Sequence, residues 1–269
     1  MSTNKRAYAA LQGVGRALTI LEAVAGRPMR AKEIAAELDL KWTTAHRTLT
    51  HLLEQGYLRR DEATGLYSVG PRLYFLGQAY LLGHPLVSAG AQLLRAVAKE
   101  LGVSAQLNER QGFQAITLYA VDHKLEAIPK TTPEFHFPIH TGSKGHVLLA
   151  HSDPELIDEL LEQKLRPLTD RSITDPAELR AQLEAVRTQG YAVTREDVQR
   201  GTGSVAAPVF DSDGGLVGAV CFIVKAEEMT EERLAALVGA VCRTAREISI
   251  QLGWRWGDPP TASMRRTRS

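Results

Sequence analysis

The sequence contains little cysteine and no long apolar run, and each of these features excludes a class of protein. Only two cysteines occur in 269 residues, Cys221 and Cys242, and both lie in apolar stretches without the spacing of a disulfide framework. No apolar run approaches the roughly 18 residues that a membrane-spanning helix needs. The first ten residues are polar and lack the apolar core of a signal peptide. We therefore expect a soluble chain that functions in the reducing cytoplasm, with no membrane partner.

Motifs of the common enzyme families are also missing. The sequence has no GxSxG nucleophile elbow and no Walker phosphate loop. The segment Gly201-Thr-Gly203 precedes a predicted strand and does not open a helix, so it is not a dinucleotide-binding turn. Cys221 lies in an apolar strand that would bury its thiol, which argues against a redox sensor. We therefore expect no catalytic residue and no cofactor.

A cluster of histidines raises the question of a metal site. His136, His140, His146 and His151 fall within sixteen residues, but no CxxC or HExxH motif accompanies them. Pro138 prevents a helical clamp between the first two. On an extended strand, their side chains would lie about 13 Å apart, which is too far for one ion. We therefore expect no metal.

Charge is divided unevenly along the chain, although the formal net charge is only +1. Residues 1–84 contain eleven Lys or Arg and seven Asp or Glu, a net +4, whereas residues 85–254 contain seventeen and twenty-three, a net −6. The tail from Arg255 contains four basic residues and one acidic, a net +3. A basic N-terminal part joined to an acidic body is typical of a DNA-binding module attached to a domain that does not touch DNA.

The stretch from Ala31 to Val69 predicts two short helices around a tight turn and then a β-hairpin, the arrangement of a winged helix-turn-helix. The apolar face of the second helix is formed by Ala45, Leu49, Leu52 and Leu53. Its opposite face carries four side chains that can donate hydrogen bonds to base edges or phosphates: Thr44, Arg47, Thr48 and His51. The second helix is therefore predicted to read DNA. The alternative is a small helical subdomain with an incidental hairpin.

Both ends of this helix predict further DNA contacts. Thr43 is expected to be the N-cap, which would place the helix N-terminus and Trp42 at the phosphate backbone. Gly56 fits the left-handed position that ends the helix, and two alternating segments then predict strands. Arg59 and Arg60 would lie in a wing that reaches a neighbouring groove.

Two further helices flank this unit. The first has an apolar stripe and is closed by Gly26 and Pro28; the stripe contains Val14, Ala17, Leu18, Leu21 and Val24. The second follows Pro71 and has a stripe of Leu73, Leu76, Gly77, Tyr80 and Leu81. This linker helix could pair with a second chain or pack on its own domain. Palindromic operators favour the dimer.

From Pro85 onward the pattern indicates an α+β domain with an antiparallel sheet covered by helices on one face. Helices are predicted over Leu86 to Leu101, about Ser143 to His151, Pro154 to Glu162, Asp175 to Gly190 and Thr230 to Gly253. Strands are predicted near Val103 to Glu109, Phe113 to Val121, Tyr191 to Glu196, Ser204 to Phe210 and Leu216 to Val224. The resulting domains are a winged helix over 1–70, a linker helix over 71–84, an effector-binding domain over 85–254 and a disordered basic tail over 255–269.

Taken in order, several stretches resemble the IclR family of bacterial transcriptional regulators. They are VGRALTILEAVA, LDLKWTTAHRTLTHLLEQGYL, GLYSVGPRLYFLG, FPIHTGSKGHVLLA and GTGSVAAPVFDSDGGLVGAVCF. The resemblance covers residues 11 to about 254. It implies a winged-helix domain, a linker helix, a GAF-like effector-binding domain, dimers or tetramers on DNA, and control by a small metabolite.

The resemblance implies DNA contacts by Thr43, Thr44, His46 and Arg47. Lys41 and Trp42 depart from the family pattern, which suggests an unusual operator or a contact of Trp42 with the sugar-phosphate edge. Arg47 is the strongest candidate, because a phosphate or guanine contact is worth about 1–3 kcal/mol. The alternative is a salt bridge from Arg47 to Glu54 or Glu33.

The resemblance also implies an effector pocket lined by Ser143, Lys144, Thr194, Ser204, Cys221 and Ile223. Amides at a helix N-terminus would cradle a carboxylate, hydroxyls at Thr194 and Ser204 would orient it, and Cys221 with Ile223 would bound an apolar part. This chemistry suits a small organic acid.

Two residues of this region depart from the family pattern. Lys144 replaces a typically small residue, and His146 stands where a lysine is common. We expect Lys144 to face solvent; an inward Lys144 would instead supply a counter-charge for an anionic effector. Thr194 is neutral at a position that is acidic in some relatives, which argues against a cationic effector.

The sequence therefore predicts a ligand-responsive regulator, not an enzyme, that binds double-stranded operator DNA as a dimer or tetramer under the control of a small organic acid. The alternative is a sensor or enzyme-associated protein whose winged helix contacts protein. Salt dependence separates the two, because phosphate contacts weaken steeply with salt.

Overall fold

A computed structural model describes residues 2–122 and 136–255, with side chains from Gly13 onward and, after the gap, from Phe137. All of the predicted basic tail except Arg255 lies outside the described residues. The chain divides into two compact units, Met1–Gly83 and His84–Ser269. In the described ranges, no helix combines the length and apolar character that a membrane crossing needs.

The first unit is a winged helix-turn-helix. Its elements are α1 (Ser2–Gly26), β1 (Met29–Arg30), α2 (Ala31–Glu37), α3 (Trp42–Glu54), β2 (Leu58–Arg60), β3 (Leu66–Val69) and α4 (Pro71–Gly83). The three strands form an antiparallel sheet in the order β1-β3-β2. The two-residue strand β1 was not predicted, because it is too short to show an alternating pattern.

The core of this unit shows that α1 is rotated relative to the predicted stripe. Val14 and Leu18 are 59% and 55% exposed, whereas Ile20, which the prediction left out, is fully buried. The buried face follows the spacing i, i+3, i+4, i+7 through Ala17, Ile20, Leu21 and Val24. The other core residues are Met29, Ile34, Leu49, Leu52, Leu58 and Tyr67.

The predicted start of α3 is wrong by two residues. The helix begins at Trp42 with Lys41 as the N-cap residue, and no side chain caps it. Thr43 is therefore already helical and cannot be the N-cap. Its predicted end is correct, because Gly56 has φ +73°.

The second unit is built on one six-stranded antiparallel sheet in the order β6-β5-β4-β9-β8-β7. Its elements are α5 (Pro85–Leu101), β4 (Ser104–Gln111), β5 (Gln114–Val121), β6 (His136–Pro138), α6 (Gly142–Ala150), α7 (Pro154–Leu161), α8 (Pro176–Gln189), β7 (Ala192–Arg195), β8 (Thr202–Phe210), β9 (Leu216–Lys225) and α9 (Glu231–Gln251). This α+β arrangement agrees with the prediction, apart from the short β6.

The sheet is covered on both faces, so the prediction of cover on one face is wrong. On one side, α5 and α9 meet β4 so closely that a Cβ at Gly90 would lie 2.9 Å from the Leu107 side chain and 3.0 Å from that of Ile248. On the other side, α6 packs against the sheet, with α8 behind it. Every residue of α6 is buried. A short helix buried all round has no polar face, so its periodicity does not reveal which layer it fills.

Candidate DNA-binding surface and effector site

The exposed face of α3 is a strip of mostly polar side chains. It is lined by Trp42, Thr43, His46, Arg47, Thr50, His51 and Glu54. Thr44 and Thr48 are half-buried at its border, and the Thr48 hydroxyl donates to the carbonyl oxygen of Thr44 at 3.0 Å. The polar face is therefore centred nearer Thr43 and Thr50 than the sequence analysis predicted. Thr50 was missed, although it shares the helical spacing of Thr43, His46 and Arg47.

The Arg47 side chain is exposed on this strip. Among the described residues it makes no ion pair, and its two predicted alternative partners are engaged elsewhere. A Glu54 carboxylate oxygen lies 4.0 Å from His51 Nδ1, and a Glu33 carboxylate oxygen accepts the Arg30 backbone N–H at 2.6 Å. The guanidinium is therefore available for a phosphate or a base edge.

A second groove runs between the start of α3 and the wing. It is lined by Arg30, Ala31, Lys32, Glu33, Trp42, His46, Arg60, Gly65 and Tyr67. Trp42 is 48% exposed, and its ring centre is 5.7 Å from that of His46. Arg60 lies over the Tyr67 ring at 5.8 Å. Arg59 Nε donates to Ser68 Oγ at 2.9 Å across the hairpin. Contacts within the hairpin therefore hold Arg59 and Arg60 beside a basic groove that also contains the exposed Trp42 indole.

The predicted effector residues meet where α6 begins against β7, β8 and β9. Ser143 N–H donates to Thr194 Oγ1 at 3.1 Å, and Ser143 Oγ donates to Ser204 Oγ at 2.7 Å. Thr194 Oγ1 and Ser204 Oγ are 2.9 Å apart. Cys221 Sγ lies 3.7 Å from Ser143 Oγ, and half-buried Ile223 packs in the same cluster. Burial raises the pKa of the Cys221 thiol, which keeps it neutral.

A buried carboxylate, Asp197, occupies the N-terminus of α6. One of its oxygens accepts the Gly142 N–H at 2.6 Å and lies 3.8 Å from His146 Nε2. Asp197 and Thr194 thus already accept the first two amides of α6, which the predicted cradle would offer to a ligand carboxylate. The sequence offered no sign of this role, since Asp197 lies in a polar loop segment.

The histidine cluster does not form a metal site in the described part of the chain. His146 Nε2 contacts the carbonyl oxygen of His140 at 2.9 Å, and His140 Nε2 contacts that of Arg166 at 3.0 Å. Burial lowers the pKa of both rings. Within the described residues, no group of three His, Cys, Asp or Glu side chains could hold an ion.

Lys144 points inward, so the expectation that it faces solvent is wrong. The residue is 5% exposed, because α6 is buried on all sides. Its Nζ donates to Gln106 Oε1 and to Thr117 Oγ1, both at 3.0 Å, and lies 4.3 Å from the centre of the Phe137 ring. Burial lowers the pKa of Lys144 to about 8. None of these three partners carries a charge.

Comparison with known proteins identifies the family. Residues 78–250 match the profile described as "Bacterial transcriptional regulator IclR C-terminal", and residues 13–62 match "IclR helix-turn-helix domain". The chain belongs to the IclR family. Together the two matches span both units of this IclR-family protein.

Named relatives agree with this assignment. The chain is 31% identical to the HTH-type transcriptional regulator BhcR of Paracoccus denitrificans, over 91% of this chain and 88% of that protein. It is 31% identical to the glycerol operon regulatory protein of Streptomyces coelicolor, over 90% of this chain and 97% of that protein. These IclR-family relatives are transcriptional regulators and not enzymes.

Solved structures share the fold. An IclR transcriptional regulator from Alicyclobacillus acidocaldarius is similar with a TM-score of 0.79 at 25% identity, over 90% of this chain and 99% of that one. An IclR homologue from Microbacterium hydrocarbonoxydans, solved with 4-hydroxybenzoate, is similar with a TM-score of 0.74 at 23% identity, over 89% and 98% of the two chains. The similarity to the Microbacterium structure supports a shared fold only.

Proposed function

We propose that this IclR-family regulator binds double-stranded operator DNA as a dimer or tetramer, in the cytoplasm, and that a small organic acid controls the binding. The proposal of DNA binding rests on the exposed strip of α3, where Arg47 makes no ion pair with any described residue. The groove beside it adds Arg30, Lys32 and Arg60. Hydrogen-bond donors on a helix, next to basic side chains on a wing, fit a major groove and its flanking phosphates.

The linker helix α4 supports assembly with a second chain. None of its thirteen residues is buried, and five of its large apolar side chains are exposed. They are Tyr74, Phe75, Leu76, Tyr80 and Leu82. An exposed apolar face of this kind is typical of an interface. A dimer would present two recognition helices to the two halves of a palindromic operator.

The second unit supports control by an acid. Ser143 and Lys144 face the sheet from α6, and Thr194 and Ser204 on β7 and β8 complete the hydroxyl cluster with Ser143. No carboxylate pairs with Lys144 among the described residues. The Microbacterium homologue was solved with an aromatic hydroxy acid. Effector binding would shift the sensor unit between two arrangements that hold the recognition helices at different spacings. Residues 71–84 would connect the DNA-binding unit of 1–70 to the effector unit of 85–254.

The test is fluorescence anisotropy of the full chain with labelled DNA from the region upstream of its own gene, at two salt concentrations. We expect saturable binding that weakens steeply with salt. Arg47→Ala should weaken it about 5- to 150-fold, the equivalent of about 1–3 kcal/mol. Arg180→Ala is the matched control, because Arg180 is an exposed arginine of α8 that pairs with Asp158 at 2.8 Å.

The opposite results would support the alternative function. If the protein binds neither this DNA nor random genomic fragments, the winged helix does not act on DNA. A protein-contacting winged helix would bury apolar surface, so its association would persist at high salt.

A further inference from the structure

The amides at the start of α6, where an effector carboxylate was expected, are already hydrogen-bonded within the protein. Asp197 is only 4% exposed, and its carboxylate already accepts the Gly142 N–H. Thr194 accepts the next amide, that of Ser143. A ligand carboxylate placed here would have to displace Asp197 and Thr194 from these two amides. The helix N-terminus is therefore a poor site for an anionic ligand.

The positive charge in this region is at Lys144, the third residue of α6, whose Nζ lies against the β4–β5–β6 part of the sheet. Its Nζ contacts Gln106 on β4, Thr117 on β5 and the ring of Phe137 on β6. An ammonium has three N–H donors and no acceptor, so these neutral groups hydrogen-bond it without neutralising it. Across the described residues, no carboxylate lies within 4.0 Å of Nζ. Buried charges in proteins are normally paired with an opposite charge.

The groups around the ammonium are held in place by their own hydrogen bonds. Thr117 Oγ1 lies 2.9 Å from Asn108 Oδ1, to which it donates, and Asn108 is fully buried. Asn108 Nδ2 in turn donates to the Ala219 carbonyl oxygen at 3.5 Å. The chain thus holds a desolvated cation on a fixed polar support, which is the arrangement of a preorganised binding group.

We propose that Lys144 is the group that binds the effector's carboxylate, and that the N-terminus of α6 does not. This inference rests on the proposed control by an organic acid and names the residue that recognises its charge. The effector's anionic group would then lie between α6 and the β4–β5–β6 part of the sheet, within reach of Nζ. An uncharged analogue of the same shape would leave the ammonium unpaired and bind weakly.

Proton uptake provides a readout that a purely structural lysine would not give. The pKa of Lys144 is lowered to about 8, and an adjacent carboxylate would raise it. The groups that touch Nζ from β4, β5 and β6 do not titrate. The nearby Cys221 thiol on β9 is kept neutral, because burial raises its pKa. Binding of an acid at pH 8 should therefore take up about half a proton, which calorimetry in two buffers of different ionisation enthalpy measures.

The experiment compares the thermal shift of the full chain with formate, acetate, glycolate, benzoate and 4-hydroxybenzoate, each against its uncharged amide. We expect at least one carboxylate to raise Tm where its amide does not. Lys144→Gln and Lys144→Met should each weaken the affinity for that carboxylate at least tenfold, with a correspondingly smaller Tm shift, and abolish the proton uptake. Lys164→Met is the matched control, since Lys164 is an exposed lysine of the same unit. Circular dichroism verifies that each variant folds.

Two outcomes overturn the inference: no carboxylate of the set stabilises the wild-type protein, or both Lys144 variants bind a stabilising carboxylate as well as the wild type does. Anisotropy with operator DNA separates this inference from the proposed function. If a carboxylate binds through Lys144 but leaves DNA affinity unchanged, control by the acid is wrong and the binding role stands. If a carboxylate changes DNA affinity equally in wild type and Lys144→Gln, control stands and Lys144 is not the binding group.

Discussion

Replacing Lys144 by methionine should stabilise the ligand-free protein at neutral pH. The pKa of Lys144 falls from 10.5 to about 8, and each unit corresponds to about 1.4 kcal/mol, so the buried ammonium costs about 3 kcal/mol. Methionine keeps much of the shape but loses two hydrogen bonds, to Gln106 and Thr117, each worth about 1 kcal/mol. The net gain at pH 7 is about 1 kcal/mol, equivalent to a rise in Tm of about 2–4 °C.

The gain should reverse at high pH, and the sign follows from proton binding. Below pH 8 the folded and unfolded states both hold the proton on Lys144, and the full cost is present. Between about pH 8 and 10.5 the unfolded state still binds the proton while the folded state has released it, so wild-type stability rises with pH. Lys144→Met lacks this rise. At pH 10 about 1 kcal/mol of the cost remains, because the unfolded state is only partly deprotonated, so the variant should be less stable than the wild type by about 1 kcal/mol.

Calorimetry at pH 7 and pH 10 measures both values, with Lys164→Met as the control whose difference from wild type should not change with pH. The comparison uses the same buffers for all three proteins, so that titration of tyrosine and cysteine side chains cancels in the differences. A Lys144→Met variant that loses equal stability at both pH values would refute the reasoning. Lys144 would then stabilise the fold, and its burial would need no ligand.

Four further variants test the rest of the molecule. Trp42→Ala should weaken operator binding with an unchanged salt slope, because an indole neutralises no phosphate, whereas Arg60→Ala should reduce the slope in anisotropy titrations by about 1. Equal slopes for the two variants would contradict a phosphate contact by the wing. Gly145→Ala should lower Tm strongly and cost about 2 kcal/mol or more, because its Cβ would overlap the backbone oxygen of Ile139. At Gly77, a Cβ would have no neighbouring atom within 4 Å, so Gly77→Ala should instead increase the stability by about 0.5–1 kcal/mol. A similar loss of stability in both variants would contradict the explanation of the Gly145 effect by its close approach to Ile139.

Features specified by neighbouring residues were predictable. Asp175 caps α8, because its carboxylate accepts the Glu178 N–H at 2.8 Å, and Gly190 closes that helix with φ +79°. Gly102 ends α5 in the same conformation, with φ +63°. These signals depend on residues only a few positions apart, so the local pattern contains the information that sets the structure.

The parts that were mispredicted depend on contacts distant in sequence. Lys144 is buried against Gln106 and Thr117, which lie on strands and are 38 and 27 residues away in the sequence. The helical periodicity of α6 gives no information about either contact. Asp197 reaches Gly142 across 55 residues. The Thr43 cap was wrong for a local reason. The turn before α3 uses Asp39 at φ +48°, and the helix then begins two residues earlier than a capping Thr43 would set it.

The cost of burying Lys144 and the selectivity for an anion are two measures of the same interaction. If a bound carboxylate returns the pKa of Lys144 to its ordinary value, the protein regains about 3 kcal/mol that an uncharged ligand cannot supply. That free energy corresponds to an affinity ratio on the order of 100 between an acid and its amide. At the α6 N-terminus, Asp197 and Thr194 already accept the first two amides, so an anion there would have to displace them. In the proposed binding mode an anionic ligand lies toward β4 and β5, and the side chain at position 144 decides the charge of the ligand that this domain would sense.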